Sequence, residues 1–262
     1  MEVGFGVCRL SVVSVRQHQG QQSQLVTQLL FGDHYQVLSE SHDRHWLQIS
    51  IHFDNANGWI ERNQHHAITK EYFDEINTAD FKITTDVCST ILYKKSPLSI
   101  LIGSIVPISQ SELFKMDEQF AFNGESKSLG QKREFEFLKG IAMKYLNAPE
   151  QIGGKTPFGI DGMGLIQMIF RICGYSLSFQ ADCKLNLGRE VKDIHVSKPG
   201  DVACFQSRKD RKFKLGLLLE EKRILHADGR VRIDQLMEEG VLDMETKIYT
   251  HELKSIVRVL ND

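Results

Sequence analysis

A glycine-rich loop that leads into a predicted helix is the segment most suited to chemistry. Residues 153–164 read Gly-Gly-Lys-Thr-Pro-Phe-Gly-Ile-Asp-Gly-Met-Gly, and the apolar residues that follow recur at helical spacing. Asp161 fits the N-cap of that helix. The free backbone N–H groups of a helix start lower the pKa of a thiol and hold anions, so this position suits a nucleophile. The first helical residue is Gly162, which has no side chain.

The loop and helix start resemble the NlpC-type cell-wall cysteine peptidases, papain-like enzymes that cleave peptidoglycan stem peptides. Their segment typically reads Tyr-Leu-Gly/Asn-x-Pro-Tyr-x-Trp-Gly-Gly-Lys-x-x-x-Gly-Ile-Asp-Cys-Ser-Gly. The match is specific over residues 153–161 and resumes at Gly164. Four functional positions differ from the family pattern, namely Gly162 for the nucleophilic Cys, Met163 for Ser, Glu150 for Tyr and Ile152 for Trp.

The resemblance also implies where a base and its orienting residue would lie. The family has its base in a strand that reads His-Val-Gly-Ile, and this chain has Lys214-Leu-Gly-Leu there. The orienting residue lies in Ile-His-Ala-x-Gly-Arg-Val, which survives nearly intact around His226 and Asp228. A lysine with its usual pKa of about 10.4 is mostly protonated at neutral pH and is a poor base. The sequence therefore predicts a naturally degenerate catalytic site with three vestigial positions, Gly162, Lys214 and His226.

Each surviving polar residue has two readings. Asp161 is an N-cap in either case, and in relatives this Asp also faces the free amine of the substrate. Lys214 either pairs with Asp161 or a ligand carboxylate, or is a plain exposed lysine. His226 either lines the site or is a half-buried strand histidine. The candidate ligand-binding residues are Asp161, Met163, Glu150, Ile152 and Asp228.

Neither a substitute nucleophile nor a metal site is expected. The five cysteines, Cys8, Cys88, Cys173, Cys183 and Cys204, show no metal-ligand or redox spacing. Cys173 follows Gly162 on the same predicted helix, about 16 Å along its axis, and Cys183 and Cys204 lack a helix-start context. The histidines of the N-terminal region have no second set of ligands beside them. We therefore expect no cofactor and no metal.

Composition excludes two classes of partner. The 262 residues are 41% hydrophobic and 25% charged, with a formal net charge of -2. A net charge this close to zero gives the protein no overall electrostatic attraction to nucleic acid or to an anionic membrane. We find no apolar run of the roughly 20 residues that a membrane span needs, and no signal peptide. These features predict a cytoplasmic protein, or a periplasmic or surface protein if the sequence is a trimmed piece.

Strand patterns dominate the N-terminal half. Alternating or apolar runs separated by turn residues predict strands over residues 8–15, 25–30, 35–38, 46–51 and 58–60. Five short strands in about 60 residues favour a small barrel, and their residues resemble a bacterial SH3-like domain. Residues 68–76 are predicted to be a helical connector, and residues 81–108 return to strand patterns that indicate a second, divergent barrel.

The C-terminal half is predicted to be helices followed by a meander. Residues 123–132 are interpreted as a linker, and an apolar stripe over 135–146 predicts the first helix. Further strands are expected over residues 202–205, 212–219, 223–226 and 230–233, with one or two more over 244–259. The fold class is therefore α+β, with SH3-like barrels over 1–67 and 80–127 followed by a papain-like NlpC-type domain over 133–262.

Three functions remain open at this point. The first is a catalytically inactive relative that binds murein stem peptides or a protein partner through the former groove. The second is an active γ-D-glutamyl-L-diamino acid endopeptidase with an unusual site. The third is a scaffold whose groove is filled.

Overall fold

A computed structural model describes residues 4–78, 81–107, 120–177 and 188–260 of the chain. The chain forms two compact units, residues 1–131 and residues 132–262.

The first sheet of unit one contains seven antiparallel strands. They are β1 Gly4–Val7, β2 Val12–Arg16, β3 Leu25–Leu30, β4 His34–Glu40, β5 Trp46–Ile51, β6 Asn57–Glu61 and β7 His66–Ile68. Their order is β3-β2-β6-β5-β4-β1-β7. Inward-facing apolar side chains from alternate strand positions, Val13, Val15, Tyr35, Ile49 and Ile60 among them, form its core.

The rest of unit one follows the helix α1, Lys70–Thr78. Six strands form two three-stranded sheets, with the orders β10-β9-β12 and β11-β8-β13. They are β8 Lys82–Thr84, β9 Cys88–Tyr93, β10 Ser96–Leu101, β11 Ile105–Val106, β12 Phe120–Asn123 and β13 Ser126–Ser128. Phe31, Ile91, Ile100, Val106 and Phe120 form a shared core beneath these strands.

Three local predictions for the chain were wrong. The expected strand over 8–15 begins only at Val12, because residues 8–11 connect β1 to β2. Part of the expected linker over 123–132 is the strand β13, which pairs with β8 more than forty residues earlier. The glycine-rich loop contains a short hairpin, β14 Lys155–Thr156 with β15 Gly159–Ile160.

Unit two combines two helices with a closed barrel. The helices are α2 Phe135–Met143 and α3 Gly162–Ile172. The barrel strands are β17 Val202–Ser207, β18 Phe213–Leu218, β19 Arg223–Asp228, β20 Arg230–Met237, β21 Gly240–Leu242 and β22 Tyr249–Arg258. Each strand pairs with the next, and β21 pairs with β22, which in turn pairs with β17, so the six strands close on themselves. The short strand β16, Arg189–Glu190, extends the sheet beside β22.

The barrel and α3 together position Gly162, Lys214 and His226, which the sequence predicts to be vestigial catalytic positions. Alternation along the strands sends Ala203, Phe205, Leu218 and Ile224 into one apolar cluster. The helix α3 is almost entirely buried and contacts β18 and β19. These contacts bring the N-terminus of α3 next to the start of β18.

Candidate functional site

The N-terminus of α3 is held by the side chain of Asp161. Its Oδ1 accepts a hydrogen bond from the Gly164 N–H at 2.7 Å, and its Oδ2 accepts one from the Gly153 N–H at 2.7 Å. Burial raises the pKa of Asp161, and these two N–H donors lower it by less. Both oxygens are therefore engaged by backbone, and Asp161 fixes the loop to the helix start.

Gly162 occupies the first turn of α3, at the position where the family pattern that the sequence resembles has its nucleophile. It is buried, and a Cβ atom built on it would lie 3.3 Å from the carbonyl oxygen of Leu215 and 3.5 Å from its nitrogen. Leu215 directly follows Lys214 in β18. The helix start and the strand that carries Lys214 are thus adjacent.

The Lys214 ammonium lies between two carboxylates. Its Nζ donates to Glu150 Oε1 at 3.0 Å, to Asp228 Oδ1 at 3.0 Å and to the Ala227 carbonyl at 3.1 Å. Burial lowers the pKa of Lys214, but the hydrogen bonds and charges of Asp228 and Glu150 outweigh it and hold that pKa above its ordinary value. Of the two alternatives for Lys214, neither the pairing with Asp161 nor the plain exposed lysine is found, because Glu150, Asp228 and the Ala227 carbonyl take its three donors and its side chain is only 15% exposed.

Glu150 also forms hydrogen bonds with the turn between β19 and β20. Its Oε2 accepts the Gly229 N–H at 2.7 Å, and its own N–H donates to the Gly229 carbonyl at 2.9 Å. We call Lys214, Glu150 and Asp228 the charge clamp. It joins the loop before α3 to two barrel strands.

His226 is completely buried and does not line an open groove. Its Nε2 lies 2.9 Å from Asp234 Oδ2, and its ring packs edge-on against Phe205 and His251. Burial raises the pKa of Asp234, yet the hydrogen bonds from His226 and from the Met244 N–H outweigh it and lower the pKa. His226 therefore belongs to a buried network with Asp234, Phe205 and His251 and does not line the site as expected.

Asp234 and His251 were not singled out from the sequence. Both are buried, and burial lowers the pKa of His251 to about 4, with His226 acting in the same direction. The sequence could have indicated Asp234, because it is a carboxylate at an inward-facing position of the strand that contains Val231 and Leu236. A charge at such a position needs a partner.

The apolar replacements at the site are exposed. Ile152 is 59% exposed and Met163 is 41% exposed, and Phe158 at the tip of the β14–β15 hairpin is 65% exposed. None of them packs into the core of unit two.

The described cysteines of unit two are buried. Cys173 and Cys204 are buried thiols outside any disulfide, and Cys183 lies outside the described residues. Within the described ranges there is no group of three or more His, Cys, Asp or Glu side chains that could hold a metal ion. None of the described helices combines the length and the apolar character that a membrane crossing requires.

Comparison with known proteins identifies both halves of this architecture. Residues 148–250 match the NlpC/P60 family. This segment is an NlpC/P60 domain. Residues 15–64 match the bacterial dipeptidyl-peptidase SH3 domain, which confirms the SH3-like region that the sequence predicts.

Individual relatives agree with these assignments. Dipeptidyl-peptidase 6 of Lysinibacillus sphaericus is 25% identical over 255 residues, covering 86% of this chain and 90% of the relative. An NlpC/P60 family protein from Bacillus cereus ATCC 10987 superposes with a TM-score of 0.79 at 15% identity, over 98% of this chain and 100% of that one. An NlpC/P60 endopeptidase from Photobacterium damselae subsp. piscicida gives a TM-score of 0.70 at 12% identity, covering 98% of this chain and 71% of that one.

These similarities confirm the predicted fold class, α+β with an SH3-like region before a papain-like NlpC/P60 domain. The chain is a cell-wall peptidase-like protein, since NlpC/P60 is a family of cysteine peptidases.

Proposed function

We propose that this protein is a non-catalytic member of the NlpC/P60 family that uses the former catalytic surface to bind a murein peptide fragment or a protein partner. The observation that carries the proposal is the state of Lys214. All three N–H donors of its ammonium are engaged by Glu150, Asp228 and the Ala227 carbonyl.

A protonated amine cannot act as a general base, because it has no lone pair with which to accept a proton. The two carboxylates raise the pKa of Lys214, so the ammonium keeps its proton throughout the neutral range. The imidazole of His226 does not replace it, since its Nε2 faces Asp234 inside the barrel.

The nucleophile is missing as well. Gly162 presents only backbone at the helix start. Losing the nucleophile of a serine triad costs on the order of 10⁶ in turnover. Without a nucleophile at residue 162 and a base at residue 214, the domain lacks the groups that a cysteine peptidase uses to cleave a peptide bond.

The same surface retains features of a binding site. Ile152, Phe158 and Met163 are exposed, and Ile152 follows Glu150 by two residues in the chain. A scaffold with a filled groove would bury such side chains, so their exposure supports binding over the filled-groove alternative.

Hydrolysis is the direct test. The purified chain is incubated with L-Ala-γ-D-Glu-diaminopimelate and the products are followed by mass spectrometry, with and without prior thiol alkylation. We expect intact peptide in both samples. Cleavage that alkylation abolishes, mapped to Cys173, Cys183 or Cys204, would overturn the proposal in favour of an active endopeptidase.

A further inference from the structure

We infer that the surface around the charge clamp binds a basic, apolar peptide segment of a protein partner rather than a carboxylate-rich murein fragment. This inference rests on the proposed function and names the chemistry of its ligand. Charge, free acceptor atoms and exposed apolar side chains support it.

The charge clamp has an excess of negative charge. Glu150 and Asp228 are two carboxylates, and Lys214 is the single cation bonded to both. The ammonium stays protonated because its pKa is raised. One negative charge is therefore left over at a position where relatives have a tyrosine and a histidine.

The carboxylates also keep unused acceptor capacity. Asp228 binds Lys214 through Oδ1, and its Oδ2 has no hydrogen-bond partner among the described residues. The Asp228 side chain is 37% exposed, so this oxygen lies within reach of a ligand. A carboxylate oxygen accepts hydrogen bonds readily from an ammonium or guanidinium group.

Apolar contacts are available within a few residues of these charges. Ile152 follows Glu150 by two positions, and Met163 adjoins Gly162. Phe158 lies two residues before Ile160, which bridges to Glu150. A segment that alternates basic and apolar side chains would satisfy both the excess charge and the exposed apolar groups.

A murein stem fragment fits this surface less well. L-Ala-γ-D-Glu-diaminopimelate carries more carboxylates than amines, so its net charge has the same sign as the clamp. Like charges in one interface oppose binding and suppress the wrong ligand.

Calorimetry with matched peptides tests this ligand preference. The probes are acetylated and amidated Lys-Phe-Lys-Leu-Lys-Phe, its counterpart with Glu in place of every Lys, and L-Ala-γ-D-Glu-diaminopimelate. We expect saturable binding of the basic peptide alone, weakening as ionic strength rises. Asp228→Asn should weaken binding about two- to fivefold, the range typical of a partly exposed ion pair, and Phe158→Ser should also weaken it.

Two matched controls lie elsewhere in unit two. Glu238→Gln removes an exposed carboxylate just beyond the far end of β20, about 25 Å along the strand from Arg230. Val196→Ser replaces an equally exposed apolar side chain. Neither should change the affinity for the basic peptide.

Each outcome decides between named alternatives. Equal or tighter binding of the murein fragment overturns the ligand preference and leaves the proposed function in place. An equal loss of affinity in the control variants also overturns it, because the peptide would then bind elsewhere. If no probe binds, both the ligand preference and the binding role fail. Hydrolysis of the murein fragment refutes the proposed function and, with it, the ligand preference that rests on it.

Discussion

Lys214 Nζ lies 3.0 Å from Glu150 Oε1, so two residues that depart from the family pattern have become partners of each other. The family pattern that the sequence resembles has a histidine and a tyrosine at these positions. The replacements introduce opposite charges on two different elements, β18 and the loop before α3. The former base position has thus become a cross-link.

The first prediction concerns the stability that this cross-link provides. Lys214→Met leaves Glu150 and Asp228 without their shared cation, and we expect a loss of about 1–2 kcal/mol, between the values for exposed and buried pairs. Lys254→Met removes a more exposed lysine that pairs with Glu252, and should cost less than about 0.5 kcal/mol. Urea denaturation of both variants measures the difference. Equal losses would show that the charge clamp contributes no more than a surface pair.

The second prediction concerns restoration of catalysis. We expect Gly162→Cys with Lys214→His to remain inactive on stem peptides, because Glu150 would then lack its cation and its negative charge would repel a substrate that carries more carboxylates than amines. Adding Glu150→Tyr removes that charge, and the triple variant should gain detectable cleavage by mass spectrometry.

Two controls accompany the triple variant. Gly162→Cys alone should fold, since up to about 1 kcal/mol of improved helix propensity offsets the 3.3 Å approach of its Cβ to the Leu215 carbonyl. Labelling with an alkylating reagent reports whether its thiol is accessible. Cleavage by the double variant at the rate of the triple variant would show that Glu150 does not obstruct the substrate.

The third prediction concerns pH. The folded protein keeps His251 neutral down to a pKa of about 4, whereas the unfolded chain takes up this proton near its ordinary value of 6.5. The unfolded state therefore binds more protons between these values, and stability falls as the pH drops from about 6.5 to 4. The loss attributable to His251 is on the order of 2–3 kcal/mol.

His251→Phe should flatten this pH dependence, measured as the free energy of unfolding at several pH values. The lowered pKa values of His52 and His65 act in the same direction, but they remain in both proteins and cancel in the comparison. Asp234 acts only at lower pH, because its folded pKa lies below the ordinary value of 3.8. An unchanged slope in His251→Phe would refute the assignment.

The fourth prediction concerns the helix start. Asp161→Ala removes the acceptors for Gly153 and Gly164 together, and should cost about 1–2 kcal/mol, as for other N-cap deletions. Asp161→Asn keeps one amide oxygen for the Gly164 N–H and should lose less. Thermal unfolding ranks the two variants, and the reverse order would mean that Asp161 is not the N-cap that the geometry indicates.

The sequence by itself determined the chemical identity of the former catalytic positions. Gly162 has no side chain whatever surrounds it, and a lysine such as Lys214 is a cation at neutral pH unless it is strongly desolvated. Helical spacing after Asp161 and the alternation over residues 46–51 also predicted α3 and β5 correctly, because those patterns are local.

Tertiary structure decided the partners of these residues. Lys214 could have met Asp161 or a ligand, and only the closure of the barrel beside the loop brings it to Glu150 and Asp228. His226 faces Asp234 because β19 and β20 are adjacent antiparallel strands in a fixed register. Residues 126–128 became β13 only because β8 offers an edge more than forty residues away. Such pairings depend on contacts distant in sequence, which no local pattern encodes.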